Sequence, residues 1–182
     1  MDLRGSLKKL YITLSSHENL LRLLHYKPVN ALDNPLDTKK PDINSLPDKY
    51  DIVEKVLMPS DKKYDLDLKS ELCRICFYTG TRKPQESYNP AARRQQDNVY
   101  MADQVYNFDV YVHVDIDIKD FRMTWICDTL NEILDRKHVT DIGDFRLAFS
   151  SPINNTPDGF IGYKMAYVTN SVQWGEYWWI LI

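Results

Sequence analysis

The chain has 182 residues, of which 43% are hydrophobic and 27% charged, and these are the proportions of an ordinary globular protein with a sizeable core. Its formal net charge of −3 argues against general, sequence-independent binding to DNA, because such binding requires a basic surface. The three cysteines have no framework spacing and indicate reduced thiols, while twelve tyrosines and four tryptophans mildly favour a protein that assembles with others.

The N-terminal region is predicted to be helical. Leucines recur at helical spacing over residues 3–13, and four more follow within residues 16–25, so two helices are expected. Ser15 and Glu18 fit a capping box at the start of the second helix. The proline-rich residues 27–50 are then predicted to form an extended connection that crosses a surface or a neighbouring subunit.

Two strands and a long loop are predicted next. Residues 51–58 alternate imperfectly and residues 71–78 alternate well, so both are predicted as strands. Residues 79–100 are polar and rich in turn-forming residues, which predicts a long loop between two strands of one sheet. The basic residues of this loop could contact a phosphate backbone, but the acidic balance of the chain favours a neighbouring protein subunit. They are Arg82, Lys83, Arg93 and Arg94.

The centre of the chain changes from one periodicity to another. Apolar and polar residues alternate strictly over residues 107–118, which predicts a strand with one buried side and one solvated or interface-facing side. From Lys119 to about Arg136, apolar residues recur at helical spacing, which predicts an amphipathic helix folded back onto the sheet. The polar side of the strand is a candidate site, and its members are Asp109, Tyr111, His113, Asp115 and Asp117.

The sequence carries no catalytic motif. His113, Asp115 and Asp117 could bind a divalent metal, but no second cluster of ligands accompanies them. Cys73 and Cys76 have the spacing of a zinc or redox motif, yet the chain lacks a second pair and the two thiols would point to opposite faces of a strand. The expectation is a protein with no metal, no cofactor and no enzymatic activity.

The C-terminal part is predicted to be a hairpin followed by an apolar tail. Residues 144–150 and 160–169 are predicted as strands on either side of a turn-rich segment. Residues 171–182 end in WGEYWWILI, which is too short to span a bilayer, so no membrane association is expected. This tail either packs on its own core or anchors in another subunit. The anchoring residues would be Trp174, Tyr177, Trp178 and Trp179.

Together these elements predict an α+β fold, in which helices pack on one face of an antiparallel or mixed β-sheet. A single domain spanning residues 1–182 is expected. Its parts are a helical segment (1–26), an extended connection (27–50), a sheet–helix core (51–170) that contains the long loop (79–100), and an apolar tail (171–182).

Several stretches of the chain resemble virion neck and tail proteins of long-tailed bacteriophages, and above all the tail-terminator, or tail-completion, family. The resemblance covers most of the chain and lies in the order and character of its elements. The stretches that carry it are ENLLRLLHYKP (18–28), FDVYVHVDI (108–116), TWICDTLNEIL (124–134), GDFRLAFSSP (143–152) and GFIGYKMAYV (159–168). The proline-rich segment and the tryptophan-containing tail depart from the family pattern.

The resemblance implies a structural protein that forms a ring, usually of six copies, and has no catalytic activity. Such a ring caps the finished tail tube, stops its polymerisation and presents a surface to the head-closure protein. The implied partners are identical copies, the tail tube protein and a head-closure or neck protein, within a virion assembled in the host cytoplasm. Asp109, Asp115 and Asp117 would line the lumen, where genomic DNA would make at most non-specific contact.

Three other interpretations stay open on the sequence alone. The chain could be a different ring component of the neck, tail or baseplate, a non-viral domain that binds a protein or a small ligand, or an enzyme that uses His113, Asp115 and Asp117 with a metal. The mass of the purified protein separates a ring component from a binding domain, because a ring component assembles into a discrete oligomer, and metal analysis tests the enzyme.

Overall fold

The computed structural model describes residues 3–61, 71–89, 94–140 and 143–172. Within them, five α-helices and a short 3-10 helix (Ile43–Ser45) accompany a five-stranded sheet. The helices are α1 (Leu3–Ser16), α2 (Glu18–His25), α3 (Lys49–Val56), α4 (Val114–Asp120) and α5 (Arg122–Leu134). The strands are β1 (Leu57–Met58), β2 (Cys73–Asn89), β3 (Arg94–His113), β4 (Phe145–Pro152) and β5 (Phe160–Val172).

The strands follow the order β1-β2-β3-β5-β4 across the sheet. The short β1 runs parallel to β2, and every other neighbouring pair is antiparallel. β3 is the central strand and pairs with β5 from His113 opposite Phe160 to Met101 opposite Val172. The sheet is therefore mixed, and the predicted α+β class is confirmed.

One face of the sheet packs against the helices and forms the core. Alternate side chains of the three long strands point to this face, as the period of two along a strand requires. They are Cys73, Ile75 and Phe77 on β2, Phe108, Val110 and Val112 on β3, and Met165 and Tyr167 on β5. Leucines of α1 and α2 and the apolar side of α5 close over them, and each fully buried side chain contributes roughly 1.5–3 kcal/mol.

The two predicted N-terminal helices are confirmed, but the predicted cap between them is wrong. His17 is the N-cap of α2, and its Nδ1 atom accepts a hydrogen bond from the Leu20 N–H at 3.4 Å. The Glu18 carboxylate instead accepts from the N–H groups of Ile43 and Asn44, at 2.7 and 3.0 Å. Glu18 is therefore used to fix the proline-rich segment against α2 rather than to close a capping box.

The proline-rich segment crosses α2 of its own chain. The buried guanidinium of Arg22 donates hydrogen bonds to three backbone carbonyls of this segment, those of Leu36, Asp37 and Lys40. Tyr26 adds a hydrogen bond from its hydroxyl to the Pro41 carbonyl at 2.7 Å. Side chains of α2 thus satisfy carbonyls that a segment without regular structure leaves unpaired.

The strand predicted over residues 51–58 is wrong, because most of it belongs to α3. Ile52, Val53 and Val56 are all buried in the core, and their spacing fits one side of a helix. Only Leu57 and Met58 are extended, where they pair with β2 as β1. A short apolar run of this kind fits both periodicities, and packing against the sheet decides between them.

The long loop predicted over residues 79–100 is also wrong, because these residues extend β2 and β3 into one hairpin. Register shifts occur after Thr79 and after Pro84, and pairing then continues to the end of the described strands. Residues 85–89 pair with residues 94–98, beyond the last β3 residue that pairs with β5. This two-stranded part is called the arm below, and among the described residues no third strand pairs with it.

The strand predicted over residues 107–118 ends at His113, where α4 begins. The His113 Nδ1 atom accepts a hydrogen bond from the Asp115 N–H at 3.2 Å and caps the helix. Two aspartates in the first turn favour a helix start, because carboxylates stabilise the positive end of the helix dipole. The predicted helix of the centre is confirmed as α5, and the predicted strands of the C-terminal hairpin are confirmed as β4 and β5.

Candidate interaction surfaces

The face of the sheet opposite the helices carries a polar cluster of Tyr78, Asp109 and Lys164. The Tyr78 hydroxyl donates a hydrogen bond to Asp109 Oδ2 at 3.0 Å. Lys164 Nζ lies 2.8 Å from the Tyr78 hydroxyl and 3.2 Å from Asp109 Oδ1. The cluster therefore joins β2, β3 and β5 by charge-assisted contacts on the side of the sheet that has no helices among the described residues.

The pKa shifts of Tyr78 and Lys164 preserve the charge that each group ordinarily carries at pH 7. Burial raises the pKa of Tyr78, as does the charge of Asp109, although Lys164 acts against them. Burial acts to lower the pKa of Lys164, but contacts with Tyr78 and Asp109 outweigh it, and the pKa is raised. Near pH 7 Tyr78 is therefore a neutral phenol and Lys164 a cation, and these states suit a structural role for the cluster.

Tyr111 and His113 lie under the connection between β4 and β5. Tyr111 is fully buried, and a Cβ atom added at Gly162 would lie 3.2 Å from its ring and 2.7 Å from Thr156. Only glycine lets the connection approach this closely. The His113 ring packs edge-on against Phe160, with ring centroids 5.1 Å apart.

The five residues predicted to form one polar strand face do not share a face. Asp109 is buried and paired with Lys164, so it adds no negative charge to the wall of a channel. Asp115 is exposed on α4, and Asp117 Oδ1 accepts the Met123 N–H at 2.7 Å, which caps α5. The prediction failed because the strand ends at His113 and the next residues follow helical geometry.

The predicted basic loop residues lie along the hairpin or outside the described residues. Arg82 and Lys83 are exposed on β2, opposite Gln104 and Asp103, and Arg94 begins β3. The remaining predicted residues lie outside the described residues, namely Arg93, Trp174, Tyr177, Trp178 and Trp179.

An exposed apolar stripe runs along α4, where the sequence pattern predicted no exposed apolar surface. It consists of Val114, Ile118 and Phe121, of which Ile118 is 69% and Phe121 74% exposed. Val114 and Ile118 are one helical turn apart on α4, and Phe121 directly follows the helix. The alternating pattern predicted the first two as buried strand residues, so only knowledge of the helix could have found the stripe.

Phe121 has the left-handed conformation, with φ of 53°, at the junction of α4 and α5. This conformation is uncommon for a bulky residue and costs roughly 1–3 kcal/mol. The fully buried Arg122 fixes the junction, because its guanidinium pairs with Asp120 and donates to the carbonyls of Leu23 and Tyr26. With both neighbours held inside the protein, the Phe121 ring is presented to solvent.

A second exposed surface lies along β4, the last strand of the sheet. Arg146, Leu147 and Phe149 are exposed there, and the adjoining Arg136 side chain is 89% exposed. This surface, called the basic edge below, consists of those four residues. Asp135 Oδ1 accepts the outward N–H of Leu147 at 2.9 Å, which blocks part of the edge to a further strand.

A cleft with a volume of about 330 Å³ and a mixed apolar and charged lining lies beside α2 and α3. Its lining includes His25, Asp48, Lys55 and Glu71. Burial lowers the pKa of His25, while the charge of Asp48 opposes this effect and that of Lys55 adds to it. The imidazole is therefore neutral near pH 7.

The described residues contain no group of three or more His, Cys, Asp or Glu side chains placed to hold a metal ion. All three cysteines are buried, and burial raises the pKa of Cys73 and of Cys127 to about 12. Both thiols are therefore neutral at pH 7, and a neutral thiol is a much poorer nucleophile than a thiolate. Across the same described ranges, no helix is long and apolar enough to cross a membrane.

Comparison of the sequence with known proteins identifies a family to which the chain belongs. The model of the YomW family matches residues 17–169, which span α2 to β5 and include the arm, the apolar stripe and the basic edge. The SPbeta prophage-derived uncharacterized protein YomW of Bacillus subtilis (strain 168) is 28% identical over 170 residues, covering 87% of this chain and 91% of that protein. No solved structure matches this chain. The chain belongs to the YomW family, which is phage-associated.

Proposed function

We propose that this protein is a non-catalytic structural component of a phage particle that assembles into a ring at the junction of tail and neck. The ring ends the tail tube and joins it to the head-closure complex. The phage-associated family supports a phage protein. The resemblance to tail-terminator proteins supports the position within the particle and a ring of six copies.

The arm is the observation that carries this proposal. β2 has 17 residues and β3 has 20, far more than the usual five or six of a strand, and their outer ends form a two-stranded ribbon. An isolated two-stranded ribbon is marginally stable in water, so a second surface is expected to support it. A neighbouring copy in a ring supplies that surface for every subunit in the same way.

The experiment measures assembly first in solution and then in the phage. Native mass spectrometry and electron microscopy of the purified full chain are expected to show a discrete closed ring. Particles made without this protein are expected to have tubes of uncontrolled length and heads that fail to join, and a supplied wild-type copy should restore both. A chain that stays monomeric at all concentrations and is missing from purified particles would refute the proposal.

A small-ligand-binding domain is the second candidate, and the cleft around His25 is the observation that favours it. The cleft combines a neutral imidazole with acidic and basic groups, which is the kind of lining that fixes a polar ligand. This candidate predicts a monomer whose melting temperature rises with a small polar compound, and whose response is lost in His25→Ala. A ring without such a response decides for the structural role.

A further inference from the structure

The two exposed surfaces of this chain differ in character. The apolar stripe on α4 is accompanied by the exposed carboxylate of Asp115. The basic edge combines two apolar side chains with Arg136 and Arg146, which line a shallow cavity together with Asp144. On the basic edge, Phe149 shares the face of Arg146, whereas Leu147 lies on the helix side of the strand. Each surface therefore combines apolar side chains with charges, and the charges that accompany the two surfaces are mainly of opposite sign.

The two surfaces begin at different positions of the sheet. The stripe begins directly after His113, which pairs with Phe160 at one end of β5, whereas Arg146 pairs with Val168. These two β5 positions are eight residues apart, which is roughly 26 Å along a strand. The side chains of both surfaces are exposed in the single molecule, so neither surface covers the other.

We propose that the apolar stripe of one copy docks on the basic edge of the next copy. This inference rests on the proposed ring and names the two surfaces that join its subunits. A contact between unlike surfaces is head-to-tail, and repetition of such a contact closes a ring when the rotation between copies permits it. Opposite charges beside the apolar side chains of the two surfaces fix which surfaces meet and in which orientation.

Phe121 is the central residue of this contact. An exposed aromatic ring in a left-handed backbone conformation violates two local preferences at once, and such violations concentrate at functional sites. Aromatic anchors also dominate the energy of protein interfaces. Phe149 on the basic edge is 52% exposed and supplies a second aromatic side chain on the other side of the contact.

The basic edge receives side chains rather than an added strand. Asp135 occupies the Leu147 N–H, and the backbone of residues 136–137 pairs with Phe145, so the start of the edge is already bonded. At the other end, Pro152 has no N–H to donate. A helical stripe that brings apolar side chains and few backbone groups suits such an edge better than an extended peptide.

The test mixes two variants of the full chain, each altered on one surface. The stripe variant carries Ile118→Ser and Phe121→Gly, and the edge variant carries Leu147→Ser and Phe149→Ser. Each variant alone is expected to have a dissociation constant raised at least about tenfold, and so to be monomeric at concentrations where wild type assembles. Mixed at equal amounts, the two are expected to form a 1:1 dimer, because one intact stripe meets one intact edge.

Other outcomes separate the inference from the proposed function. A wild-type chain that never assembles refutes the ring and the inference with it. A wild type that assembles while both variants also assemble normally leaves the ring standing and overturns the inference. An edge variant that dimerises alone shows a stripe-to-stripe contact and also overturns it. Ile12→Ser, which removes an exposed apolar side chain from α1, is the matched control and should assemble like wild type.

Charge reversal gives an independent test if a serine variant fails to fold. Asp115→Lys and Arg146→Glu each place like charges across the proposed contact, and each is expected to weaken assembly about tenfold. The double variant restores opposite charges and should recover most of the lost affinity. If the double variant instead assembled with a dissociation constant raised by the product of the two single effects, the proposed contact would be overturned.

Discussion

Arg122 joins parts of the chain that are nearly one hundred residues apart. It is fully buried, pairs with Asp120 beside it, and donates hydrogen bonds to the carbonyls of Leu23 and Tyr26 at the end of α2. Those carbonyls are among the groups that a helix end leaves without partners. One side chain therefore fixes the junction of α4 and α5 and also closes the end of α2.

Replacement of Arg122 by methionine is expected to lower the free energy of unfolding by about 3–5 kcal/mol. The variant keeps most of the side-chain volume but leaves the buried Asp120 carboxylate without its cation and the helix end without its donors. Urea unfolding followed by circular dichroism measures the change. Arg4→Met, at an exposed position of α1, is the control and should change the free energy by less than about 0.5 kcal/mol. A loss below about 1 kcal/mol for Arg122→Met would contradict this account.

His25 is expected to make the protein less stable as the pH falls below its usual pKa of 6.5. Burial lowers the pKa of His25 in the folded protein, so the unfolded chain binds its proton at a higher pH than the folded chain does. The stability linked to His25 is therefore complete above pH 6.5 and decreases as the pH falls through the lowered pKa. Unfolding free energies of wild type and His25→Gln, measured from pH 7.5 to pH 5, isolate this effect. Equal slopes for the two proteins would show that His25 is not responsible.

At the scale of elements, the arm is expected to serve assembly and not the stability of the domain. Replacement of residues 86–97 by Asn-Gly would join Gln85 directly to Asn98 through a two-residue turn, since these two residues already face each other. The shortened chain should keep a melting temperature within a few degrees of wild type, because the core lies on the rest of the hairpin. Its oligomer should be lost in native mass spectrometry. A shortened chain that still forms rings would remove the arm from the proposed function.

The elements that the sequence predicted well are those with one long, unbroken period. α1, α5 and β5 follow a single pattern over ten or more residues, and the structure confirms each. β4 also lies where it was predicted, although a register shift between Leu147 and Phe149 interrupts its alternation. α3 was predicted as a strand because Ile52 and Val53 are neighbours that fit either period. Its helical state depends on contacts with the core that local sequence does not contain.

The arm and the start of α4 show two other limits of local pattern. The sequence of the arm is mostly polar and lacks the alternation that identifies a half-buried strand, so pattern alone does not predict its pairing. At α4 the alternating residues 114–118 fit a strand until His113 caps a helix. The capping role depends on where the histidine ring is placed, which is a property of the folded chain.

The candidate surfaces were harder to predict than the fold. The sequence identified Asp109 and Tyr111 as polar members of a strand but gave no sign that Lys164 and the β4–β5 connection cover them. It likewise assigned Ile118 to a buried face, whereas the structure exposes it. Exposure is a property of the assembled elements, and a periodic pattern gives only the direction of each side chain relative to its own element.

At the scale of the whole molecule, assembly of subunits is expected to weaken with salt. Opposite charges beside the stripe and the edge attract over about 10 Å at 0.1 M salt but over only about 3 Å at 1 M. The dissociation constant measured by sedimentation should therefore rise several-fold over this range. Arg146→Gln, which removes one of the two attracting cations, should reduce the dependence. Association that strengthens steadily with salt would indicate that apolar contact alone joins the copies.

The position of β5 in the sheet has a consequence for how the protein is made. β5 is synthesised after β4 and yet lies between β3 and β4, so the sheet stays split in two until this strand leaves the ribosome. Until then one side of β3 is an uncovered edge that neighbouring nascent chains on the same messenger could pair with. Premature termination within or before β5 should therefore yield aggregates rather than shortened but folded subunits, which would keep defective copies out of the proposed ring.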